Sequence, residues 1–243
     1  LPLTQRYFHT EDMGYDYSRG TYLIILADAS LKSILEEENT GDFIYFKKTQ
    51  GYNVHVVNMK DIGIEADLLK QYLKNYYEEN PLLEYVLLVG DVDYTYSIPA
   101  FYVASYSYPE IDITDHKFTF FDNDPLSPEF FIGRWPIRTK DELKKIKSRS
   151  IGYVTMNLPG TDLSIPLETS YLNNALVVAA NYSDTFIPVT PVWTSQWLMD
   201  ELYNYGYAQV DTAFWRVGDQ DVNPTIINKW DAGVGLIGYR GWG

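Results

Sequence analysis

The sequence predicts an α/β fold in which helices flank layers of parallel sheet. The apolar runs at residues 22–27 and 85–89 are short and continuous and end at aspartate or glycine-aspartate, which is typical of strands buried on both faces. Segments with helical spacing of apolar residues alternate with such runs, as parallel crossovers require. A chain of 243 residues with 46% hydrophobic residues suffices for one layered unit or two small subdomains.

The first half of the chain gives the clearest alternation. In order, the predicted elements are a strand at 22–27, a helical segment at 31–49 interrupted at 39–41 and closed by Gly51, a strand at 52–58, a helix at 61–77 ended by Asn80-Pro81, and a strand at 85–91. These repeats predict right-handed parallel crossovers, with helices covering both faces of the sheet.

Residues 94–128 are aromatic, acidic and turn-rich without helical period, so we predict a long irregular insertion. A strand at 130–134, a helix at 139–153 whose Thr139 and Glu142 fit a capping box, and a linker at 159–166 are predicted to follow it. The alternation then restarts with a strand at 171–180, a helix at 192–205, a strand at 207–214, a helix opened by Asn223-Pro224 and a strand at 234–239.

This pattern divides the chain into three parts. Residues 1–20 form an N-terminal extension, residues 21–158 a first α/β subdomain, and residues 159–243 the start of a second subdomain.

The charge and composition of the chain argue against several classes of partner and site. The balance of 19 basic against 33 acidic residues gives a net charge of -14, which repels phosphate backbones and anionic lipid and argues against nucleic acid or a membrane surface as partner. The absence of cysteine excludes a disulfide or thiolate metal site within the chain, and no apolar run is long enough to span a bilayer. The chain begins at Leu1 without a leader, so we expect an exported protein whose signal or pro-segment is not in this chain; a cloned fragment, the alternative, would begin in the same way.

The insertion contains the best candidates for chemistry. His116 follows Asp115, whose carboxylate is placed to orient its ring, whereas His9 and His55 are predicted to be surface or packing residues. Oxygen ligands for a calcium ion are available in the same segment, although their spacing does not match an EF-hand and a solvated acidic loop is the alternative: Asp112, Asp122 and Asp124.

The order of several motifs resembles the gingipain family of cysteine peptidases. These are Tyr-Val-Leu-Leu-Val-Gly-Asp at 85–91, Thr114-Asp115, Phe-Ile-Gly-Arg-Trp-Pro at 131–136, the helix that begins near Thr139, and Gly-Leu-Ile-Gly-Tyr-Arg-Gly-Trp-Gly at 235–243. The resemblance covers residues 20–243. It implies a caspase-like α/β fold of two adjoining subdomains, secretion or surface display by a bacterium, bound calcium, and hydrolysis of peptide bonds by a Cys and His pair.

The resemblance also assigns roles to residues. Gly241-Trp242-Gly243 matches the Gly-His-Gly segment of the family, so Trp242 stands at the position of the catalytic histidine and cannot take its proton. The backbone amide of Gly243 matches the oxyanion donor, and the nucleophilic cysteine is expected past residue 243. Asp115 is the candidate orienting acid or pocket residue, with a turn cap as the alternative, and His116 is the candidate replacement base.

The sequence is compatible with two functions. One is an incomplete gingipain-like peptidase domain that acts on protein or peptide substrates together with the downstream part of the same polypeptide. The other is a non-catalytic binding or surface-interaction module that uses the aromatic segment 94–121 as its contact surface. A phosphoacceptor domain with Asp28 or Asp91 at strand ends is a third idea, which fails because the sequence lacks a suitably placed lysine and paired acidic residues after one strand.

Overall fold

The computed structural model describes residues 19–105, 109–122, 124–156, 169–180, 190–215 and 221–240. The chain divides into two compact units, Leu1–Ser164 and Ile165–Gly243. The predicted linker at 159–166 and most of the N-terminal extension lie outside the described residues. Within the described part of the chain, no helix is long and apolar enough to cross a membrane.

The first unit is built on a four-stranded sheet in the order β2-β1-β3-β6, with all strands parallel. Its elements are β1 (Thr21–Leu26), α1 (Lys32–Leu35), α2 (Phe43–Thr49), β2 (Asn53–Asn58), α3 (Ala66–Glu79), β3 (Leu83–Val89), β4 (Phe101–Ala104), β5 (Ile111–Thr114), β6 (Phe131–Trp135) and α4 (Lys140–Thr155).

Both faces of this sheet are buried, which explains the continuous apolar runs. Along β1, Leu23 and Ile25 point into a cluster that includes Leu69 of α3, whereas Ile24 belongs to a second cluster. The second cluster is closed by side chains of α1, α2 and α4, among them Leu35, Phe43 and Leu143. Since successive strand residues face opposite sides of the sheet, alternate residues of each strand pack against the helices on each face.

Two sequence expectations need correction in this unit. The helix predicted at 61–77 begins at Ala66, because Gly63 adopts φ 119 after a 3-10 turn at Met59–Asp61, and this left-handed residue cannot continue a helix. The insertion at 94–128 is not wholly irregular, because β4 and β5 pair antiparallel within it. Phe101 of β4 packs against Phe118 with ring centroids 5.0 Å apart, which attaches this hairpin to the core.

Two further helix ends follow the predicted chemistry, at Gly51 and Thr139, and Asp42 adds a cap that was not predicted. Asp42 caps α2 by accepting from the backbone N–H of Tyr45, and Gly51 follows that helix with φ 91. Thr139 and Glu142 form the predicted capping box at the start of α4. His55 lies on β2 beside Tyr76, whose hydroxyl shares a short hydrogen bond with its Nδ1, so its assignment as a packing residue is confirmed.

The second unit contains a three-stranded parallel sheet in the order β8-β7-β9. Its elements are β7 (Asn174–Ala180), α5 (Thr190–Tyr205), β8 (Gln209–Trp215), α6 (Asn223–Ala232) and β9 (Leu236–Arg240). The central strand β7 is buried on both faces: Val177 packs toward Leu202 of α5, and Leu176 toward Ile226 of α6. Each unit therefore has its own hydrophobic core.

Candidate functional site

Arg134 of β6 joins the carboxyl end of the first sheet to the insertion. Its Nη1 donates to the carbonyls of Gly90 (3.1 Å), Asp91 (3.3 Å) and Ile98 (2.9 Å), and its Nη2 donates to that of Pro99 (3.1 Å). The side chain is only 11% exposed. A guanidinium, with five donors in a fixed plane, can satisfy several loop carbonyls at once, so this side chain fixes the path of the chain after β3.

Asp115 completes this arrangement from the other side. Its Oδ2 accepts from Arg134 Nε at 2.8 Å and its Oδ1 from Nη2 at 2.7 Å. The turn-cap alternative for Asp115 is wrong, because its side chain makes no capping bond to the 3-10 turn at His116–Phe118. The backbone N–H of His116 donates instead to Thr114 Oγ1 at 3.1 Å. The role of Asp115 as an orienting acid stays a prediction.

His116 is exposed and its ring meets Phe120 edge to face, with centroids 5.3 Å apart. Both oxygens of Asp115 already accept from Arg134, and among the described residues no hydrogen bond joins that carboxylate to the His116 ring. The two residues are therefore neighbours in sequence without forming an acid–imidazole pair in this structure. The use of His116 as a replacement base stays a prediction.

Asp91 is held at the carboxyl end of β3. Arg138 Nε donates to its Oδ2 at 3.1 Å, and the backbone N–H of Val92 donates to its Oδ1 at 2.8 Å. Burial by itself would raise the pKa of Asp91, but these two donors outweigh it and hold the pKa below its ordinary value. The Arg138 guanidinium also lies 4.0 Å from the ring centroid of Tyr94, which has φ 71. The Asp91 carboxylate therefore holds Arg138 and the start of the loop after β3 in place.

The predicted calcium ligands make separate contacts within the insertion. Asp112 is exposed on β5, Asp122 Oδ1 accepts from the N–H of Asp124, and Asp124 accepts from the N–H of Leu126 and the hydroxyl of Ser127. The Ser127 and Leu126 bonds lower the pKa of Asp124. Among the described residues, no three His, Asp or Glu side chains are placed to hold a metal ion. Calcium binding by Asp112, Asp122 and Asp124 stays a prediction.

The last described strand leads toward the two remaining candidates. Gly235 and Gly238 allow close approach of neighbours, since a Cβ on Gly235 would lie 2.5 Å from the carbonyl oxygen of Leu172, and one on Gly238 would lie 2.9 Å from Leu198 Cδ2. Arg240 Nη1 donates to Thr194 Oγ1 of α5 at 2.6 Å. Trp242 and Gly243 lie outside the described residues, so their assigned roles stay predictions.

The sequence reasoning missed Arg134 as a positioning residue. A signal was present, because an arginine between Gly133 and Trp135 interrupts an otherwise apolar strand. A charged side chain inside such a strand requires buried partners, and here the insertion supplies them.

Comparisons with known proteins agree with this architecture. The model described as Peptidase family C25 matches residues 16–243. Gingipain R2 of Porphyromonas gingivalis is 28% identical over 85% of this chain, and gingipain R1 of the same organism is 28% identical over 85% of it. The chain spans 26% and 19% of the length of these two relatives.

Solved structures give the same result. A complex of the pro- and mature domains of Porphyromonas gingivalis RgpB superposes with a TM-score of 0.71 at 26% identity, over 92% of this chain and 48% of that one. The arginine-specific cysteine proteinase gingipain R shares the fold, with a TM-score of 0.70 at 24% identity over 94% of this chain and 48% of that one. The predicted gingipain resemblance and α/β fold class are confirmed.

Proposed function

Because this chain belongs to peptidase family C25, we propose that it forms the N-terminal part of a gingipain-like cysteine peptidase domain, which hydrolyses peptide bonds together with residues further along the same polypeptide. The observation that carries the proposal is the match along residues 16–243, which includes the strand leading to Gly241-Trp242-Gly243. The chain spans only about half of the solved relatives' chains, at 48%. It has no cysteine, so the thiolate must come from elsewhere in the polypeptide.

The residues of this chain contribute scaffold and orientation in this proposal. In sequence, residues 241–243 directly follow the carboxyl end of β9, and α/β proteins assemble their sites at the carboxyl ends of their strands. A backbone N–H at Gly243 would stabilise the oxyanion that forms during attack on the peptide carbonyl, a contribution of about 3 kcal/mol for one such donor. The indole N–H can donate a hydrogen bond, but its nitrogen has no free lone pair to take a proton, so Trp242 does not act as the base.

The residue at position 242 also favours a second function. A family scaffold that carries tryptophan in place of the catalytic histidine is suited to binding without turnover. Exposed rings in the insertion, with Tyr94 62% and Tyr102 59% exposed, supply contact area of the kind found at interfaces. In this case the protein recognises a polypeptide and leaves it intact.

The two functions are separated by testing the complete natural polypeptide. A thiol-directed peptide probe should label one cysteine, and fluorogenic peptides ending in arginine or lysine should be cleaved. The matched control is the same polypeptide with the labelled cysteine changed to alanine. Absence of labelling and cleavage would contradict the peptidase proposal.

If the natural polypeptide cleaves no peptide, a Trp242→His variant of it tests whether the tryptophan is the cause of the inactivity. Activity that appears only in this variant would show that the scaffold is competent and that tryptophan has made the natural protein a binding module.

Calcium binding and export by a bacterium are proposals that accompany the family membership. Calorimetric titration of the complete polypeptide with calcium after chelator treatment tests the first. Fractionation of the native host's culture tests the second.

A further inference from the structure

A groove on the first unit combines aromatic walls with two cations. It has a volume of about 530 Å³ and lies where β1, α2 and β6 meet the last turns of α4. Six of the lining residues carry the argument: Tyr22, Phe43, Lys47, Trp135, Arg149 and Tyr153. The groove lies outside the residues that the peptidase proposal uses.

The apolar wall is a set of packed rings. Phe43 and Trp135 meet with centroids 4.8 Å apart, and Tyr22 meets Phe43 edge to face at 6.1 Å. Tyr153, in the last turn of α4, is 69% exposed. Phe43 is only 2% exposed and supports the wall from within the core, whereas the half-buried Trp135 and the exposed Tyr153 can accept another ring or a chain of methylene groups from a ligand.

The cations of the groove lack acidic partners among the described residues. Lys47 Nζ lies 5.1 Å from the centroid of Tyr22 and 5.4 Å from that of Phe43, and it donates to Gln50 Oε1 at 3.0 Å. Burial, and then the nearby Arg19, lower the pKa of Lys47. The ion pairs of the described residues include neither Lys47 nor Arg149. A carboxylate would therefore find uncompensated positive charge here.

The surrounding helices strengthen this local charge. Two basic residues of α2 and five of α4 make seven of the chain's 19, whereas the same helices contain only two acidic residues, Asp141 and Glu142. The chain as a whole carries a net charge of -14. Lys147 is buried and Lys144 pairs with Glu37, so the other five of the seven are neither fully buried nor in an ion pair among the described residues, and they favour an anionic partner.

We propose that this groove binds an acidic peptide segment of a partner protein, with an aromatic or long aliphatic side chain on the Trp135 and Tyr153 rings and a neighbouring carboxylate on Arg149 and Lys47. A peptide is favoured over a small molecule because the groove is shallow and largely open to solvent, whereas small-molecule sites enclose most of their ligand. An extended peptide needs only one such wall, since its remaining surface stays in water.

The test uses the 243-residue chain and three short acetylated tetrapeptide amides. The acidic probe is Glu-Asp-Tyr-Glu, its neutral match is Gln-Asn-Tyr-Gln, and its basic match is Lys-Lys-Tyr-Lys. Calorimetric titration should show the acidic peptide binding about tenfold more tightly than the neutral one. Its affinity should fall several-fold as salt rises from about 20 to about 200 mM, since exposed charge pairs are screened.

Variants locate the binding site. Arg149→Gln and Tyr153→Ala should each weaken binding of the acidic peptide about fivefold or more, a loss typical of one charge-assisted or aromatic contact. The matched control is Lys145→Gln, which removes an exposed charge from the same helix outside the groove and should change affinity less than about twofold.

Several results would overturn the proposal. These are equal affinity for the acidic and neutral peptides, no saturable binding, or a loss in Lys145→Gln as large as in Arg149→Gln. N-acetyltyrosine binding as tightly as the acidic peptide would assign the groove to a small ligand. Binding that disappears in the complete natural polypeptide would place a segment of that polypeptide in the groove and exclude a separate partner.

Discussion

Arg134 and Asp115 form a two-point ion pair, Nε to Oδ2 at 2.8 Å and Nη2 to Oδ1 at 2.7 Å, between the edge strand β6 and the end of the insertion hairpin. The two side chains are 11% and 20% exposed. The remaining donor capacity of the guanidinium goes to loop carbonyls after β3. This one side chain therefore fixes two segments relative to the sheet.

The first prediction concerns this pair. Asp115→Asn should lower the unfolding free energy by about 2–4 kcal/mol, because it leaves a largely buried guanidinium without its counter-charge. Arg134→Lys should cost a similar amount, since an ammonium cannot reach both carboxylate oxygens and the loop carbonyls. Urea denaturation checks both values.

The control for this prediction is Arg138→Lys, which alters a guanidinium that is 55% exposed and should cost less than about 1 kcal/mol. Equal losses for Arg138→Lys and Arg134→Lys would contradict the special role of the buried pair.

The second prediction compares two glycines at neighbouring strands. A Cβ on Gly90 would lie 2.8 Å from the Tyr96 carbonyl oxygen and 2.9 Å from Ala27 Cβ, whereas one on Gly133 meets nothing within 4 Å. Gly90→Ala should therefore destabilise the protein by about 1–3 kcal/mol. Gly133→Ala should be neutral or stabilise it by up to about 1 kcal/mol. Thermal unfolding of the two variants measures this difference. A lower melting temperature for Gly133→Ala than for Gly90→Ala would refute the packing argument.

The third prediction concerns Lys147, which is fully buried in α4 and donates to the carbonyls of Ile34 (2.6 Å) and Glu37 (3.0 Å). Burial lowers its pKa from the ordinary 10.5 to about 8. Below pH 8 the ammonium is charged in both states and its burial cost is present in full. Between these two pKa values the folded protein has lost the proton while the unfolded chain keeps it, so this group makes stability rise with pH.

The measurement is the unfolding free energy of the natural protein minus that of Lys147→Met, at pH 7 and at pH 9.5. The difference should move in favour of the natural protein at the higher pH, because the neutral amine still has two N–H groups for its two carbonyls. Lys145→Met removes an exposed lysine two residues away on the same helix and should show no such shift. A difference that is independent of pH would show that Lys147 titrates normally.

The fourth prediction addresses the start of α4. Thr139→Ala removes the side-chain oxygen that accepts from the N–H of Glu142 at 3.1 Å, and it should cost about 1 kcal/mol. Thr139→Ser keeps this acceptor and serves as the control. Urea midpoints distinguish the two variants, and an equal loss in both would indicate that the methyl group rather than the cap is responsible.

The sequence was most informative where structure depends on near neighbours. The Thr139 capping box, the cap at Gly51 and the helix opened by Asn223-Pro224 all involve residues within one or two turns, and the structure has each of them. The start of α3 was predicted five residues early, because the apolar spacing continues through Ile62 although Gly63 has a left-handed φ. The spacing of apolar residues shows which side chains can share a helix face, but it does not show the backbone dihedral angles that end a helix.

The candidate site was less accessible to such reasoning. The partners of Arg134 lie 19 to 44 residues away in sequence, so only the folded chain shows that Asp115 pairs with it and not with His116. The aromatic groove likewise takes side chains from β1, α2, β6 and α4. No local pattern brings these segments together.

The strand order of the second sheet has a consequence for biosynthesis. β7, whose side chains are buried on both faces, is made first, but its two neighbours β8 and β9 follow only after α5 and α6 respectively. At about 5–20 residues per second, the ribosome needs roughly 3–11 s to pass from the end of β7 to the start of β9. For that time the most apolar strand of this unit has an open side. Unpaired strand edges of this kind make partly folded chains prone to aggregation, so this stretch of synthesis is where the unit is most exposed to mispairing.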